Sequence, residues 1–138
     1  MKKLISTNPA KNYEVIGSVD ISSSQEIKEK VSLANKAKNY WKDLGLIKRL
    51  ALLKNLYLKF KKQTEQIAQN ITQEMGMPIT QSRLLDVGDG LRYFKWYLEN
   101  AEKYLQPEIT FQKNSINHSV YYEPIGSVAV IAVDEKHR

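Results

Sequence analysis

Apolar side chains recur every three or four residues along the middle of the chain, which is the spacing of one face of an α-helix. The longest such series spans residues 46–75 and consists of Leu46, Leu50, Leu53, Tyr57, Phe60, Ile67, Ile71 and Met75. Polar residues 61–64 interrupt the series and predict a joint between two helices. Gly76 suits the left-handed position that closes a helix, and Pro78 begins a new element.

The same spacing predicts a helix on each side of this series. Ser23 and Glu26 have the separation of a capping box, so the first helix begins there, and Gly45 is its expected stop. The other helix runs from about residue 78 to residue 106, with apolar positions at Leu84, Val87, Leu91, Phe94, Leu98, Ala101 and Leu105. Gly88 and Gly90 lie inside it, and a glycine there costs roughly 1 kcal/mol relative to alanine. We therefore expect a neighbouring backbone to approach this helix closely.

Two stretches of β-forming residues surround polar turns and predict β-hairpins. The first covers residues 1–20, where Asn12 fits a position of positive φ, and the second covers residues 108–122. Residues 127–133 are apolar without alternation, which is typical of a strand buried on both faces of a parallel sheet. These elements indicate an α/β protein.

The predicted strand at 127–133 requires neighbours that the sequence does not contain. A parallel sheet needs crossover connections that lead to further strands, and none follows residue 133. The predicted fold is therefore incomplete: an N-terminal β-hairpin, three to four helices, a second β-hairpin and the first strand of a parallel Rossmann-like sheet. The sequence therefore calls for a sheet that it does not contain.

Composition and charge narrow the possible partners. The chain carries 42% hydrophobic and 26% charged residues with a formal net charge of +6, which is a globular composition with a lysine-rich surface. A basic helix that binds membranes, calmodulin or nucleic acid is the alternative, and its cations would be Lys48, Arg49, Lys54, Lys59, Lys61 and Lys62. No groove-reading motif supports it, so we predict no nucleic-acid or membrane partner. No apolar run reaches the ~20 residues of a membrane helix, and we expect a cytoplasmic protein.

Several motifs, taken in order, resemble the start of the NAD(P)-dependent aldehyde dehydrogenase superfamily. They are Asn8-Pro9-Ala10 with Glu14-Val15-Ile16-Gly17-Ser18-Val19, Trp41, Arg49-Leu50-Ala51-Leu52-Leu53, Glu74-Met75-Gly76-Met77-Pro78, Arg92-Tyr93-Phe94 and Glu123-Pro124-Ile125-Gly126-Ser127-Val128-Ala129-Val130-Ile131. Arg92-Tyr93-Phe94 matches the family's Arg-Tyr-Tyr, and Glu74-Met75-Gly76-Met77-Pro78 is close to its Glu-Met-Gly-Lys-Pro. The resemblance covers almost the whole chain. It implies that the chain is the amino-terminal piece of a larger α/β enzyme, ended by a truncation, a frameshift or an artificially chosen end.

The resemblance implies an organisation and a chemistry. Residues 1–106 would form the N-terminal hairpin and helical part of the cofactor-binding domain, residues 107–125 an oligomerisation-type hairpin, and residues 126–138 the first sheet strand with a divergent tail. Ile131 and Ala132 would belong to an incomplete wall of the cofactor pocket. In the family, a cysteine thiolate attacks an aldehyde, hydride passes to NAD or NADP, and water releases the acid. Dimers or tetramers are usual.

The chain departs from the family where the active site would begin. Val133, Asp134 and Glu135 stand where the family has Pro-Trp-Asn, and that Asn helps to hold the oxyanion. A carboxylate at residue 135 donates no hydrogen bond and repels a developing anion. The chain has no cysteine, so it carries neither a thiolate nucleophile nor a disulfide. We predict no catalytic residue in this chain.

Two further groups of residues could be interpreted as chemical sites, but neither interpretation is favoured. Gly88-Asp89-Gly90 begins like a dinucleotide fingerprint, but Tyr93 stands where the third glycine belongs and the pattern is helical. Asp134, Glu135 and His137 could touch a metal ion, but a terminal tail makes a poor site, so no metal site is predicted.

Two functional hypotheses follow. The leading one is an aldehyde dehydrogenase N-terminal segment that is inactive by itself and binds NAD or NADP poorly. The alternative is a non-catalytic interaction or oligomerisation module that pairs with a full-length homologue or with itself.

Overall fold

The computed structural model describes residues 2–131, and the elements follow the predicted order. Within this range, each hairpin forms its own two-stranded antiparallel sheet. In chain order the elements are β1 (Lys3–Asn8), a 3₁₀ turn (Pro9–Lys11), β2 (Glu14–Asp20), α1 (Ser24–Asp43), α2 (Gly45–Lys62), α3 (Thr64–Met75), α4 (Ile79–Gln81), a π-helical segment (Ser82–Gly88), α5 (Asp89–Tyr104), β3 (Glu108–Lys113) and β4 (Ile116–Val120).

The ends of α1 are set by local sequence. The Ser23 Oγ accepts a hydrogen bond from the Glu26 backbone N–H at 3.2 Å, and the Glu26 carboxylate accepts one from the Ser23 backbone N–H at 2.6 Å. This capping box confirms the predicted start, and the Ser23 backbone bond is the main reason why the pKa of Glu26 is lowered. Gly45, at φ +72°, separates α1 from α2 as expected.

The first hairpin is fixed against the end of α3. Gly76 closes α3 in the left-handed conformation at φ +69°, which confirms its predicted role. A Cβ atom at this residue would lie 2.7 Å from Pro9 Cγ and 3.0 Å from the Ala10 backbone nitrogen. Asn8 is buried, and its side chain accepts a hydrogen bond from the Ala10 N–H at 3.0 Å. The glycine therefore permits both the turn and the close approach of the hairpin.

The predicted third helix contains a wider turn than its apolar spacing indicates. Residues Ser82–Gly88 are π-helical, and the two buried residues in the segment, Ser82 and Val87, are five positions apart. Leu84, predicted on the packed face, is 69% exposed because the wider turn rotates it away. A Cβ at Gly88 would lie 2.9 Å from the Arg83 carbonyl oxygen of the same helix. The close contact therefore lies within the helix, and the expected approach of another element is wrong for Gly88. It is also wrong for Gly90, where nothing lies within 4 Å of the ideal Cβ position.

The helices pack around very little interior. Helix α2 packs against α5, where the rings of Tyr57 and Phe94 meet edge to face at 5.7 Å, and α3 packs against the π segment. Among the described residues, the buried ones are Asn8, Ala68, Ser82 and Val87. The chain exposes 11908 Å², whereas a compact protein of this size exposes about 7,400 Å². Eight residues lie outside the described range. The area of eight residues in a fully extended chain is only about 1,300 Å², so they cannot account for the whole difference.

The second hairpin forms as predicted, but the strand expected after it does not. Residues 121–131 adopt no regular structure. The predicted strand at 127–133 is therefore wrong for residues 127–131, and residues 132 and 133 lie outside the described range. Val128, Val130 and Ile131 are exposed. The physical reason is that a strand needs a hydrogen-bonding neighbour, and β1–β2 and β3–β4 each pair only with each other among the described residues.

Candidate functional site

The described residues place no cofactor pocket around the predicted wall. Ile131 is 87% exposed at the end of the described range, and Ala132 lies outside it. The segment before Ile131 is held to α1 by exposed polar contacts: Lys42 Nζ lies 2.9 Å from Glu123 Oε2, and the Ser127 hydroxyl donates to Asn35 Oδ1 at 3.0 Å. The described part of the chain therefore forms no dinucleotide-binding site, and its residues support no chemical step with NAD or NADP.

The suspected dinucleotide fingerprint is helical, as the sequence analysis expected. Gly88 ends the π segment and Gly90 lies in the first turn of α5, both with ordinary helical backbone. Asp89 pairs with Arg92 at 3.2 Å, one helical turn further on. The residues form no phosphate-binding loop between a strand and a helix, so this motif has a structural role.

An apolar cleft of about 270 Å³ opens between α2, α3 and the helix that ends in α5. Among the described residues that line this cleft, Asp86 has the one ionisable side chain. The lining residues are Phe60, Ile67, Ile71, Asp86, Val87, Gly90, Leu91 and Phe94. A single carboxylate without a base, an acid or an anion-stabilising donor beside it does not form a catalytic arrangement. The cleft is the shallow interior of the helical layer. Nor do any three His, Asp or Glu side chains in residues 2–131 come together as a metal site.

A two-bond ion pair clamps the π segment to α3. Arg83 donates from Nε to Glu65 Oε2 at 2.8 Å and from Nη2 to Glu65 Oε1 at 2.6 Å. The guanidinium, helped by the Gln69 side chain, lowers the pKa of Glu65, and the carboxylate raises the pKa of Arg83. Beside it, the hydroxyl groups of Thr72 and buried Ser82 lie 2.9 Å apart. Both contacts hold α3 against the π segment, so their role is structural.

We expect this clamp to make stability depend on pH in the acid range. The folded chain binds a proton on Glu65 more weakly than the unfolded chain, so the contribution of Glu65 is present above its ordinary pKa of 4.5 and is lost as the pH falls through the lowered value. The Glu65→Gln variant should therefore lose stability less steeply on acidification, measured by urea unfolding at a series of pH values. Arg83→Gln should flatten the slope in the same way, and an unchanged slope in both variants would refute the role of the pair.

These clamp residues were missed by the sequence analysis. Glu65 and Arg83 are separated by 18 positions and Thr72 and Ser82 by 10. Their partnership depends on the turn between α3 and α4, and no local pattern signals it. Of the residues singled out from the sequence, the structure brings Gly76 against the turn at Pro9, and this contact shapes the fold.

One face of α5 remains uncovered and is chemically distinctive. We call it the aromatic face and define it by Tyr93, Trp96, Tyr97 and Tyr104. The Trp96 ring stacks on Tyr104 at 5.9 Å and meets Tyr97 edge to face at 5.3 Å. Arg92 lies over the Tyr93 ring at 5.4 Å, and Lys103 lies over the Tyr104 ring at 5.2 Å. Such a surface suits binding better than catalysis.

Comparison with known proteins decides the family. The chain matches the aldehyde dehydrogenase family over residues 2–133, which is nearly its full length. The chain belongs to the aldehyde dehydrogenase family. The resemblance inferred from the ordered motifs is therefore confirmed.

The curated aldehyde dehydrogenase relatives are all much longer than this chain. Sad, an NAD(P)+ succinate semialdehyde dehydrogenase of Escherichia coli, is 28% identical over 127 residues, which cover 92% of this chain and 27% of Sad. The NADP+ succinate-semialdehyde dehydrogenase GabD of the same organism is 25% identical and is covered to 26%. A lactaldehyde dehydrogenase of Methanocaldococcus jannaschii is 34% identical over 73 residues, 53% of this chain and 16% of that enzyme. The chain thus spans about a quarter of the length of Sad and of GabD.

Solved aldehyde dehydrogenase structures share the fold. Indole-3-acetaldehyde dehydrogenase in its apo form superposes with a TM-score of 0.79 at 24% identity, over 91% of this chain and 29% of that one. The glyceraldehyde-3-phosphate dehydrogenase GapN of Methanocaldococcus jannaschii, in complex with NADP, gives a TM-score of 0.69 at 26% identity, over 82% of this chain and 24% of GapN. The hairpins and helices therefore form the N-terminal portion of the aldehyde dehydrogenase fold, which confirms the predicted incomplete α/β fragment apart from its sheet strand.

No helix within residues 2–131 combines the length and the apolar character that crossing a membrane requires.

Proposed function

We propose that this chain supplies the N-terminal portion of an NAD(P)-dependent aldehyde dehydrogenase subunit and has no dehydrogenase activity by itself. The observation that carries the proposal is the family match over residues 2–133 together with the coverage of only about a quarter of each relative. In the assembled enzyme, the reaction would oxidise an aldehyde to a carboxylic acid. This portion would position the helical layer beside the cofactor-binding sheet and would contribute no reacting group.

The cysteine count supports the lack of intrinsic activity. Aldehyde oxidation in this family begins with a thiolate, and the sequence contains no cysteine in any of its 138 residues. The predicted cofactor residue Ile131 is exposed and has no pocket around it in the described range. We therefore expect NAD and NADP to bind this chain poorly.

An activity assay tests the proposal directly. The purified chain, incubated with NAD or NADP and a panel of aldehydes that includes succinate semialdehyde, should produce no reduced cofactor, while Escherichia coli Sad serves as the positive control. Pretreatment with iodoacetamide separates true from contaminating activity, because the reagent inactivates a cysteine-dependent enzyme and finds no thiol in this chain. Turnover that co-purifies with the chain and survives iodoacetamide would contradict the proposal.

The exposed apolar surface favours a second candidate function, a non-catalytic interaction module. The surface excess over a compact protein of this size is about 3,200 Å² after the eight residues outside the described range are allowed for, and it exceeds what most stable protein interfaces bury. Such a module would pair with a homologous aldehyde dehydrogenase subunit or with itself. Light scattering coupled to size-exclusion chromatography discriminates, because a stable monomer that binds no relative would contradict this role.

The location in the cytoplasm stays a prediction, which fractionation of cells that express a tagged chain would check.

A further inference from the structure

The tip of the second hairpin brings a carboxamide side chain next to an unengaged backbone nitrogen. The hairpin turns through two residues, Asn114 and Ser115, which lie between the paired residues Lys113 and Ile116. Both turn residues are exposed. Asn114 has a positive φ of 52°, as the first position of a two-residue hairpin turn requires. Among the hydrogen bonds formed within residues 2–131, none uses the backbone N–H of Ser115, so the ladder does not hold this nitrogen in place.

An asparagine side chain reacts with the next backbone nitrogen when the two can approach each other. The nitrogen gives its proton to hydroxide and attacks Cγ of the carboxamide, which forms a new C–N bond. The bond from Cγ to the side-chain nitrogen breaks, and that nitrogen takes up a proton from water and leaves as ammonia. The product is a cyclic imide. Overall, closure of the ring releases ammonia and involves neither oxidation nor reduction.

Water then opens the cyclic imide at either of its two carbonyl groups. Attack at the side-chain carbonyl leaves an ordinary aspartate. Attack at the backbone carbonyl leaves an isoaspartate, in which the main chain runs through the side-chain carbonyl group and is longer by one carbon atom. One water molecule is consumed in both cases, and both products carry a carboxylate where the asparagine carried a neutral amide.

Most of the other asparagines are protected by their backbone surroundings. Asn8 is buried and precedes Pro9, which has no N–H and therefore supplies no nucleophile. Asn117 lies in β4, where it pairs with Gln112 and its backbone is held extended. Within a helix, the N–H of the next residue is bonded to a carbonyl group four positions before it. This protection covers Asn35, Asn39, Asn55, Asn70 and Asn100.

Asn12 in the first hairpin turn is the informative comparison with Asn114. It is also exposed, and its φ of 51° is nearly the same. The residue after it is Tyr13, whose side chain is much larger than that of Ser115 and hinders the approach of the backbone nitrogen to Cγ. The two sites therefore share their exposure and their φ and differ in the residue that supplies the nitrogen.

We propose that Asn114 is a site of spontaneous deamidation, at which the Ser115 nitrogen closes a cyclic imide that opens to isoaspartate and aspartate. This inference goes beyond the proposed function and does not depend on it. The length of a hairpin turn fixes the register of its strands, and isoaspartate lengthens this turn by one backbone atom. A chain modified at Asn114 therefore acquires a negative charge at the hairpin tip and a less firmly specified pairing of β3 with β4.

Peptide mass spectrometry tests the proposal with the full chain. The purified protein is incubated in heavy-oxygen water, which labels the product formed before digestion, and is then cleaved after glutamate. Cleavage at Glu108 and Glu123 releases one peptide that contains both Asn114 and Asn117, and its fragment masses assign the change to one of them. Asn114 should convert at least about tenfold faster than Asn12 or Asn117, a difference of about 1.4 kcal/mol in activation free energy.

The products and the pH dependence report the route of the reaction. Isoaspartate should be present beside aspartate, because both carbonyl groups of the imide are open to water. The rate at Asn114 should rise from neutral to mildly alkaline pH, because hydroxide removes the proton from the Ser115 nitrogen. Isoaspartate is quantified by the methyl groups that an isoaspartyl methyltransferase transfers to it.

Variants of the two exposed turns identify what controls the rate. Ser115→Gly leaves the backbone nitrogen more open and should speed the conversion of Asn114, while Ser115→Val should slow it. The matched change in the first hairpin, Tyr13→Ser, should raise the rate at Asn12 toward that at Asn114. Circular dichroism confirms that each variant keeps its fold.

A denatured sample separates the contribution of the turn from that of the sequence. In guanidinium chloride the pairing of β4 is lost, so Asn117 should convert faster than in buffer and the ratio of the Asn114 rate to the Asn117 rate should fall. An equal ratio in both conditions would overturn the inference, because the fold would then contribute nothing.

Two other results would also overturn the inference. One is a folded chain in which Asn114 converts no faster than Asn12 and Asn117. The other is aspartate without isoaspartate, which would show that water attacks the side-chain amide directly. Neither result bears on the dehydrogenase assay, so the proposed function would be unaffected.

Discussion

Replacing Gly76 with alanine is expected to destabilise the chain by about 2–4 kcal/mol, because two separate penalties add at this residue. The backbone at Gly76 is left-handed at φ +69°, which costs a side chain roughly 1–2 kcal/mol. The new Cβ would also lie 2.7 Å from Pro9 Cγ and 3.0 Å from the Ala10 nitrogen, so the hairpin must move away from α3. Urea unfolding followed by circular dichroism measures the loss.

Gly45 supplies the matched control for this experiment. It has nearly the same backbone, at φ +72°, but no atom lies within 4 Å of its ideal Cβ position. Gly45→Ala should therefore cost only the conformational part, about 1–2 kcal/mol. If both variants lose the same stability, the close packing of the hairpin against α3 contributes nothing.

The second large effect is expected at Val87, which is buried in the π segment. Val87→Asp removes an apolar side chain from the cleft that Phe60 and Ile71 also line, and places a carboxylate there beside Asp86. Loss of the buried valine alone costs about 1.5–3 kcal/mol, and the unpaired charge adds to it, so we expect a total of about 3 kcal/mol or more. The free energy of unfolding, measured with urea at neutral pH, should report the loss.

Two comparisons make the Val87 experiment decisive. Leu84→Asp changes the same segment at an exposed position and should cost little in the isolated chain. The pKa of a carboxyl placed at residue 87 should be raised by burial, so the deficit of Val87→Asp should shrink as the pH falls and the group becomes neutral. A deficit that is equal in both variants, or independent of pH, would show that residue 87 is not enclosed.

The sequence was sufficient for elements whose signals are local. The Ser23 and Glu26 pair sets its own helix start through bonds within three residues, and Asn12 adopts the positive φ of 51° that the turn needs. Gly76 was recognised as a helix end because its conformation is a property of one residue. The family motifs were likewise readable, because their order along the chain needs no three-dimensional information.

Features that depend on a partner in space could not be predicted. The three-four spacing from Leu84 to Leu105 fits a regular helix, and only the packing of Ser82 and Val87 against α3 reveals the wider π turn. The bond between Arg83 and Glu65 depends on the same packing. The apolar run at 127–131 has strand-forming residues but no neighbour to pair with in the described range, so its sequence preference is not realised.

The π segment has a consequence for aligning this chain with its relatives by residue count. Each residue of an α-helix advances by about 100° around the axis. One additional residue within a single turn therefore rotates the part of the helix after it relative to the part before it. An alignment without a gap, against a relative whose helix is regular there, would equate exposed Leu84 with a packed residue. With such a relative, the correct correspondence would require a one-residue gap between Ser82 and Gly88, even where the flanking sequences align without one.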